Sequence, residues 1–137
     1  MSIPKKTICM HVQTIDHIVL TVRDIEVTCA FYARVLGMRI TTFAAGRKAL
    51  SFGCQKINLH KSGSEFEPKA AMPTPGSADL CFMTDVPIDQ VLTHLRSSKV
   101  EILLGPVERT GATGALVSVY FRDPDENLIE VSNSVQN

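Results

Sequence analysis

The sequence predicts an α+β fold in which two tandem βαβββ modules form a cleft-lining sheet. Two observations support this fold class. The order strand, helix, strand, strand, strand occurs twice along the chain, and a segment rich in Gly, Ser, Pro and charge (KSGSEFEPKAAMPTPGS) separates the two copies. The 137 residues suffice for one domain with a substantial core. We expect an N-terminal arm (1–14), a single domain (15–132) and a C-terminal tail (133–137), with module one at 15–60, a linker at 61–77 and module two at 78–132.

Module one begins with a strongly β-branched run, Ile15–Val22, which is typical of a strand. Asp24 then precedes apolar residues at helical spacing, and Gly37 follows the last of them as a helix stop. Short apolar runs separated by turn residues make up the rest of the module. These runs predict three more strands, Arg39–Phe43, Ala49–Phe52 and Lys56–His60.

Module two repeats this order. Asp79–Thr84 predicts a strand, and Pro87 opens a helix that continues to Ser98, since proline is well tolerated in a first turn. The Gly- and Thr-rich segment Gly105–Ala115 is expected to be a loop that accommodates the extra length of this module. Three further strands are predicted: Val100–Leu104, Leu116–Phe121 and Asn127–Ser132.

Composition excludes several classes of protein. Lys+Arg and Asp+Glu number 14 each, so the chain lacks the basic footprint of a nucleic-acid binder. No apolar run is long enough to span a membrane, and the N-terminus lacks the apolar stretch of a secretory signal. The scattered cysteines, Cys9, Cys29, Cys54 and Cys81, indicate reduced and mostly buried thiols rather than disulfides. We expect a cytoplasmic protein, with a trimmed mitochondrial presequence as the open alternative.

Four residues of metal-ligand type occupy helix-free faces of the predicted sheets. Side chains alternate between the faces of a strand, and this places His17, His60, Asp79 and Glu130 opposite the apolar residues that pack on the helices. Overlaying the two halves pairs His17 with Asp79 and His60 with Glu130. Taken singly, each could be a structural or solvated residue. Together they predict a divalent-metal site, because a cation removes the repulsion between two carboxylates, and this donor set suits Zn, Mn, Fe, Co or Ni.

Substrate contacts are predicted with less support. Ser118 and Tyr120 alternate with apolar residues in one strand, so they line the cleft or pack structurally. Arg109 and Arg122 hold an anionic substrate or belong to a solvated surface.

Four features of the sequence belong together: the paired βαβββ modules, the His of the first strand, the helix end FYARVLG and the closing segment YFRDPDENLIEV. They resemble the motifs of the vicinal oxygen chelate superfamily, which includes glyoxalase I. The resemblance extends from about Ile15 to Ser132. It implies metal-ligand positions at His17, His60, Asp79 and Glu130. Glyoxalase I usually has Glu at the position of His60 and His at the position of Asp79.

The resemblance leaves different functions open. The first is a metal-dependent lyase, isomerase or transferase that acts on a small oxygenated substrate, with Glu130 as general base. The alternatives are a metal-free module that binds a small molecule and an extradiol-type dioxygenase. Because relatives commonly pair modules between subunits, the resemblance also implies a homodimer.

Overall fold

The computed structural model describes residues 9–135; most of the predicted N-terminal arm, residues 1–8, and the last two residues of the tail lie outside the described residues. Module one contains β1 (His17–Val22), α1 (Ile25–Leu36), β2 (Arg39–Phe43), β3 (Arg47–Phe52) and β4 (Gln55–Lys61). Module two contains β5 (Asp79–Met83), α2 (Ile88–Ser97), β6 (Leu104–Thr110), β7 (Ala115–Arg122) and β8 (Leu128–Ser134).

Each module forms its own four-stranded sheet. The strand order is β1-β4-β3-β2 in module one and β5-β8-β7-β6 in module two. The first strand of each module pairs in parallel with the last one, and the other neighbours are antiparallel. The same order in both sheets confirms the predicted α+β fold of two βαβββ modules.

Helix α1 begins and ends at residues that the sequence identifies. The Asp24 carboxylate accepts a hydrogen bond from the backbone N–H of Val27 at 3.0 Å, which satisfies one donor of the first turn. Gly37 follows the helix with φ of 67°, a left-handed conformation that favours glycine. The buried residues of the helix are Thr28, Cys29, Tyr32 and Val35.

Helix α2 has no side-chain hydrogen bond at its N-terminal cap, where Pro87 lies. It is held by burial of Val91, Leu92 and Leu95 against the core. Its link to α1 is polar, since His94 Nε2 donates to the Val35 carbonyl oxygen at 2.8 Å. Packing and this one bond therefore compensate for the missing cap.

One hydrophobic core is shared by both modules. Phe31 of α1 packs near Phe121 of β7, with ring centroids 6.3 Å apart, and Phe52 of β3 makes an edge contact with Phe82 of β5 at 5.4 Å. The helix-free faces of the two sheets point away from this core. These two outward faces position the candidate site residues.

The predicted strand Val100–Leu104 is wrong. The observed strand β6 begins only at Leu104 and runs through the segment that was expected to be a loop. Apolar residues of the predicted strand, among them Ile102, pack against the core without joining the sheet. Their apolar spacing is therefore the same as that expected of a strand. Gly105 marks an irregularity in β6, and a Cβ there would lie 2.5 Å from the Ser118 carbonyl oxygen.

The four cysteines are free, as predicted. Only Cys29 is buried, whereas Cys9, Cys54 and Cys81 are exposed, so the expectation of mostly buried thiols is wrong. The exposed thiols precede β1, occupy the β3–β4 turn and lie on the helix-free face of β5, positions where the apolar pattern does not require burial.

Neither helix in the described part of the chain combines the length and hydropathy needed to cross a bilayer. The cytoplasmic location stays a prediction.

Candidate functional site

Strand register determines which of the predicted residues are neighbours. His17 is level with Lys56 across the β1–β4 pair, and His60 is level with Thr21. His60 therefore lies four residues, roughly 13 Å, further along the strands than His17. The structure does not bring these two imidazoles together.

Asn58, not His60, is the counterpart of Glu130. In module two, Glu130 is level with the residue two positions after Asp79. In module one, Asn58 is level with the residue two positions after His17. The offset between the final strands is thus 130 − 58 = 72, whereas the sequence overlay with His60 gave 130 − 60 = 70. That overlay failed because positions two apart share a face and have the same alternation.

The four predicted ligands do not converge within one chain. Among residues 9–135, no group of three or more His, Cys, Asp or Glu side chains is close enough to hold a metal ion. His17 and His60 lie on module one, while Asp79 and Glu130 lie on module two. Each outward face thus presents part of the predicted ligand set.

The part on module one is built around His17. Its Nδ1 lies 2.8 Å from the Asp16 carboxylate, and the imidazole is 44% exposed. A carboxylate at Nδ1 favours the tautomer with hydrogen on that nitrogen and leaves Nε2 free with its lone pair. Histidines that bind metals commonly have this arrangement.

The part on module two is built around Glu130. The Ser132 hydroxyl donates to Glu130 Oε2 at 3.2 Å, and Ser118 and Ser132 share a hydrogen bond of 2.6 Å. Cys81, level with Glu130 on β5, lies 3.4 Å from the Ser132 hydroxyl through its Sγ. Although Cys81 is exposed as a residue, partial desolvation of its thiol raises the pKa of the thiol, and the nearby Glu130 charge raises it further. The thiol is therefore a neutral neighbour of the carboxylate.

The four residues that were predicted as substrate contacts have different roles in the structure. Ser118 is fully buried and shares a hydrogen bond with the Ser132 hydroxyl, which in turn donates to Glu130. Tyr120 is level with Glu130 on the neighbouring strand, and Arg109 Nε donates to its hydroxyl at 2.9 Å. Arg122 donates to the Glu126 carbonyl oxygen at 3.3 Å and thus closes the β7–β8 turn. Tyr120 and Arg109 are the two that flank Glu130.

His60 belongs to a second cluster that sequence reasoning missed. It is 3% exposed, and its Nε2 lies 3.3 Å from Arg47 Nη2. The Arg47 guanidinium lies 5.2 Å from the Phe43 ring centroid and 4.3 Å from that of Phe66. Burial lowers the pKa of His60, and the Arg47 charge lowers it further. Arg47 was missed because β3 begins two residues before the predicted strand.

Two buried polar atoms beside this cluster lack partners. Arg47 Nε and Asn58 Oδ1 are buried without a hydrogen bond from any described residue. Unpaired buried polar atoms are costly, and they often mark positions where a ligand or solvent completes the structure. The signal in the sequence was a polar Asn between the apolar Ile57 and Leu59.

Residues 62–77, here called the strap, cover part of the outward face of module one. The Ser62 N–H donates to the Val22 carbonyl oxygen at 2.8 Å, and the Phe66 ring packs edge-on against His60, with centroids 5.5 Å apart. Near the other end, a Cβ on Gly76 would lie 2.6 Å from the Asp125 carbonyl oxygen. Between the strap and the sheet is a cavity of about 230 Å³, lined by Val19, Thr21, His60, Pro68, Lys69, Ala70 and Pro73.

Comparison with known proteins identifies close relatives. The chain is 57% identical to virulence protein STM3117 of Salmonella typhimurium over 130 residues, which cover 95% of this chain and 90% of the relative. It is 52% identical to the glyoxalase domain-containing protein RDO1 of Mycosarcoma maydis over 124 residues, covering 90% and 70% of the two chains. The segments FGCQKINLHKSGSEFEPKA and PTPGSADLC also suggest glyoxalase domain-containing protein 5, but these matches show that the similarity is not specific to that protein.

Solved structures agree with the fold. The crystal structure of STM3117 superposes with a TM-score of 0.91 at 58% identity and covers 92% of this chain and 100% of that one. Lactoylglutathione lyase from Agrobacterium tumefaciens has the same fold, with a TM-score of 0.68 at 22% identity over 89% and 94% of the two chains.

Residues 14–131 match the model of one protein family. This match covers both modules and agrees with the fold and the two close relatives. The chain therefore belongs to the Glyoxalase/Bleomycin resistance protein/Dioxygenase superfamily.

Proposed function

We propose that this protein is a homodimeric, metal-dependent enzyme of the lyase, isomerase or transferase type that acts on a small oxygenated substrate. The observation that carries the proposal is the pair of incomplete but oriented half-sites. His17 is oriented by Asp16, and Glu130 is oriented by Ser132. Their residue types fit a divalent cation, and each retains an unbound donor atom for one.

A second copy of the chain would complete the site. Within one chain the half-sites lie on separate outward faces and do not meet. Apolar side chains remain exposed on the same faces, including Val19 at 45% and Met83 at 54%. If module one of one subunit faces module two of its partner, these apolar groups become buried and His17 approaches Glu130. Such a closed two-fold arrangement produces two equivalent sites per dimer.

The residues that would hold the ion are His17 and Glu130, with Asp79 next. Asn58 supplies a carboxamide oxygen at the fourth equivalent position, and His60 is less suited because of its register. Two carboxylates and one imidazole are a donor set that suits Zn, Mn, Fe, Co or Ni. A bound divalent ion would polarise adjacent substrate oxygens as a Lewis acid.

Glu130 is the proposed general base. Ser132 holds Oε2, so Oε1 is the oxygen that would ligate the ion, and when it is not bound to the ion it is available to accept a proton from a carbon next to a substrate carbonyl. The Tyr120 hydroxyl, held by Arg109, lies beside it and limits how a substrate approaches. These residues therefore supply proton transfer and orientation.

A metal-free binding module is the second candidate. The cavity beneath the strap favours it, because most of its lining residues are apolar and it lies within a single chain. No comparable observation favours the dioxygenase, which needs two histidines and a carboxylate around one iron. A location in the cytoplasm is part of the proposal, with mitochondria as the alternative.

Thermal unfolding with and without added metal tests the metal site. Mn, Zn, Co or Ni at a hundredfold excess over its dissociation constant should stabilise the wild type by about 2.7 kcal/mol, which raises Tm by roughly 10 °C. Glu130→Ala should abolish this rise, His17→Ala should nearly abolish it, and Asp79→Ala should reduce it least. Glu108→Ala removes a carboxylate from the other face of module two and should leave the rise intact. Calorimetry that detects no metal binding to the wild type would contradict the proposal.

Mixing two inactive variants tests whether the site lies between subunits. A heterodimer of His17→Ala and Glu130→Ala subunits contains one site without either ligand and one site with both. After unfolding and refolding together, the mixture should recover about a quarter of the wild-type metal sites, since about half of the dimers are mixed. No recovery, or a monomer by sedimentation at tens of micromolar, would contradict the shared site.

A further inference from the structure

The cavity beneath the strap has polar lining groups that can donate hydrogen bonds. Lys69 has only donors at its ammonium group, and Thr21 contributes a hydroxyl. The remaining polar lining residue is His60, whose role depends on its tautomer. The walls are apolar and consist of Val19, Pro68, Ala70 and Pro73.

Arg47 fixes the tautomer of His60. A guanidinium has no acceptor, so in the 3.3 Å contact Arg47 Nη2 donates and His60 Nε2 accepts. The hydrogen of the neutral imidazole must then be on Nδ1, which makes the free ring nitrogen a donor. Lysine, histidine and threonine therefore present three donor groups around the cavity.

One cation beside the cavity lacks a direct ion pair. Lys69 Nζ lies 3.5 Å from Glu65 and 3.7 Å from Glu67, so this cation already has two carboxylate neighbours. The half-buried Arg47 forms no salt bridge with any described carboxylate, and its buried Nε has no partner among the described residues. A buried guanidinium N–H without an acceptor is unfavourable, and a ligand oxygen nearby would relieve that cost. Because these two cations and two carboxylates already balance, a single negative charge is better tolerated here than two.

We propose that this cavity binds the carboxylate end of a small monoanionic substrate, with Thr21, His60 and Lys69 as hydrogen-bond donors and Arg47 as a positioning residue behind His60. The cavity volume of about 230 Å³ accommodates a carboxylate with a short alkyl chain, and a longer molecule would extend out of the cavity. The apolar walls contact the alkyl chain. The claim that this ligand is the substrate rests on the proposed function, whereas the binding itself requires only one chain.

Butyrate is the probe, and protein freed of metal by a chelator is the sample. We expect butyrate to bind with a dissociation constant on the order of millimolar and to shift the NMR signals of the His60 ring. Butyramide, a neutral molecule of the same shape, should bind at least tenfold more weakly. Inorganic phosphate, with more negative charge, should also bind more weakly than butyrate.

Matched variants assign the binding to this cavity. Lys69→Met should weaken butyrate binding about tenfold, since a charge-assisted hydrogen bond contributes that much. His60→Phe should weaken it to a similar degree without changing the ring volume greatly. Lys61→Met removes the same charge from a residue outside the cavity lining and should have no effect.

Several outcomes would overturn the proposal: equal binding of butyrate and butyramide, tighter binding of phosphate, or equal losses in Lys69→Met and Lys61→Met. The absence of any butyrate binding would do the same. The proposed metal site is judged separately, because its test measures Tm with metal and this one uses metal-free protein. Butyrate binding without metal binding would support the carboxylate cavity and contradict the metal-dependent enzyme.

Discussion

The two modules have the same strand order but expose different chemistry on their outward faces. The register places Arg39, Arg47 and Lys56 on the face of module one, which the strap partly covers. The face of module two presents Asp79 and Glu130 without such a cover. The repeated module thus has a basic sheet face that the strap partly covers in one half of the chain and an acidic sheet face in the other.

The turns before the last strand of each module differ as well. In module one, Gly53 and Cys54 form a short exposed turn. In module two, residues 123–127 form a longer turn, in which Asp123 and Asp125 are buried. Tyr32 of α1 donates to Asp123 Oδ2 at 2.6 Å, so this turn connects the two modules. We therefore expect the two turns to contribute differently to the stability of the fold, just as the two sheet faces differ in chemistry.

The largest effect is expected from Asp123→Ala. Its carboxylate accepts hydrogen bonds from the Tyr32 hydroxyl, the Asp125 and Asn127 backbone N–H groups and the Asn127 side chain, at 2.6 to 2.9 Å. Removing it leaves several buried donors unpaired, so the free energy of unfolding should fall by about 4 kcal/mol or more. Urea unfolding measures this loss. Cys54→Ala in the turn of module one is the control and should change stability by less than about 0.5 kcal/mol. Similar losses in both turns would refute the asymmetry.

Tyr32→Phe should have an intermediate effect that depends on pH. At neutral pH the loss of one hydrogen bond to a buried carboxylate should cost about 1–3 kcal/mol. Burial raises the pKa of Tyr32 far above its ordinary value, and the neighbouring Asp123 charge raises it further. A raised folded-state pKa gives stability that is fully present below pH 10 and is lost as pH rises above it. Stability of the wild type should fall more steeply above pH 10 than that of Tyr32→Phe. Parallel curves would contradict this role.

The smallest effect concerns the helix starts. Asp24→Ala removes the side-chain cap of α1 and should cost about 1 kcal/mol. Pro87→Ala at the start of α2 removes no cap hydrogen bond and should change stability by less than about 0.5 kcal/mol. Chemical denaturation of both variants measures the difference. A larger loss for Pro87→Ala would reverse this comparison between the helices.

Local signals made most of the fold predictable. Asp24 and Gly37 marked the ends of α1 because capping chemistry depends on adjacent residues. Strand alternation correctly placed His17 and Glu130 on helix-free faces, since only the side-chain period matters there. The strand predicted at Val100–Leu104 was wrong because Ile102 packs against the core as an apolar residue but does not pair with a neighbouring strand. Local patterns therefore identify elements and faces, but not every pairing.

The candidate site required long-range information. His60 and Asn58 share one face of β4, so alternation cannot decide which one is the counterpart of Glu130; the pairing of β1 with β4 decides it. The packing of Phe66 on Arg47 depends on how the strap folds back over the sheet. The relative placement of His17 and Glu130 depends on packing between modules, which no local pattern encodes.

The strap has a thermodynamic consequence because it is also the stretch of chain that joins β4 of module one to β5 of module two. It leaves β4 at Ser62, and Gly76 abuts the Asp125 carbonyl of the turn that contacts α1. The strap therefore connects the cavity that it lines to the turn that contacts α1. By linkage, a molecule that bound one conformation of the strap more tightly than another would shift the balance between them, and the coupling to any second ligand of the strap would be equal in both directions.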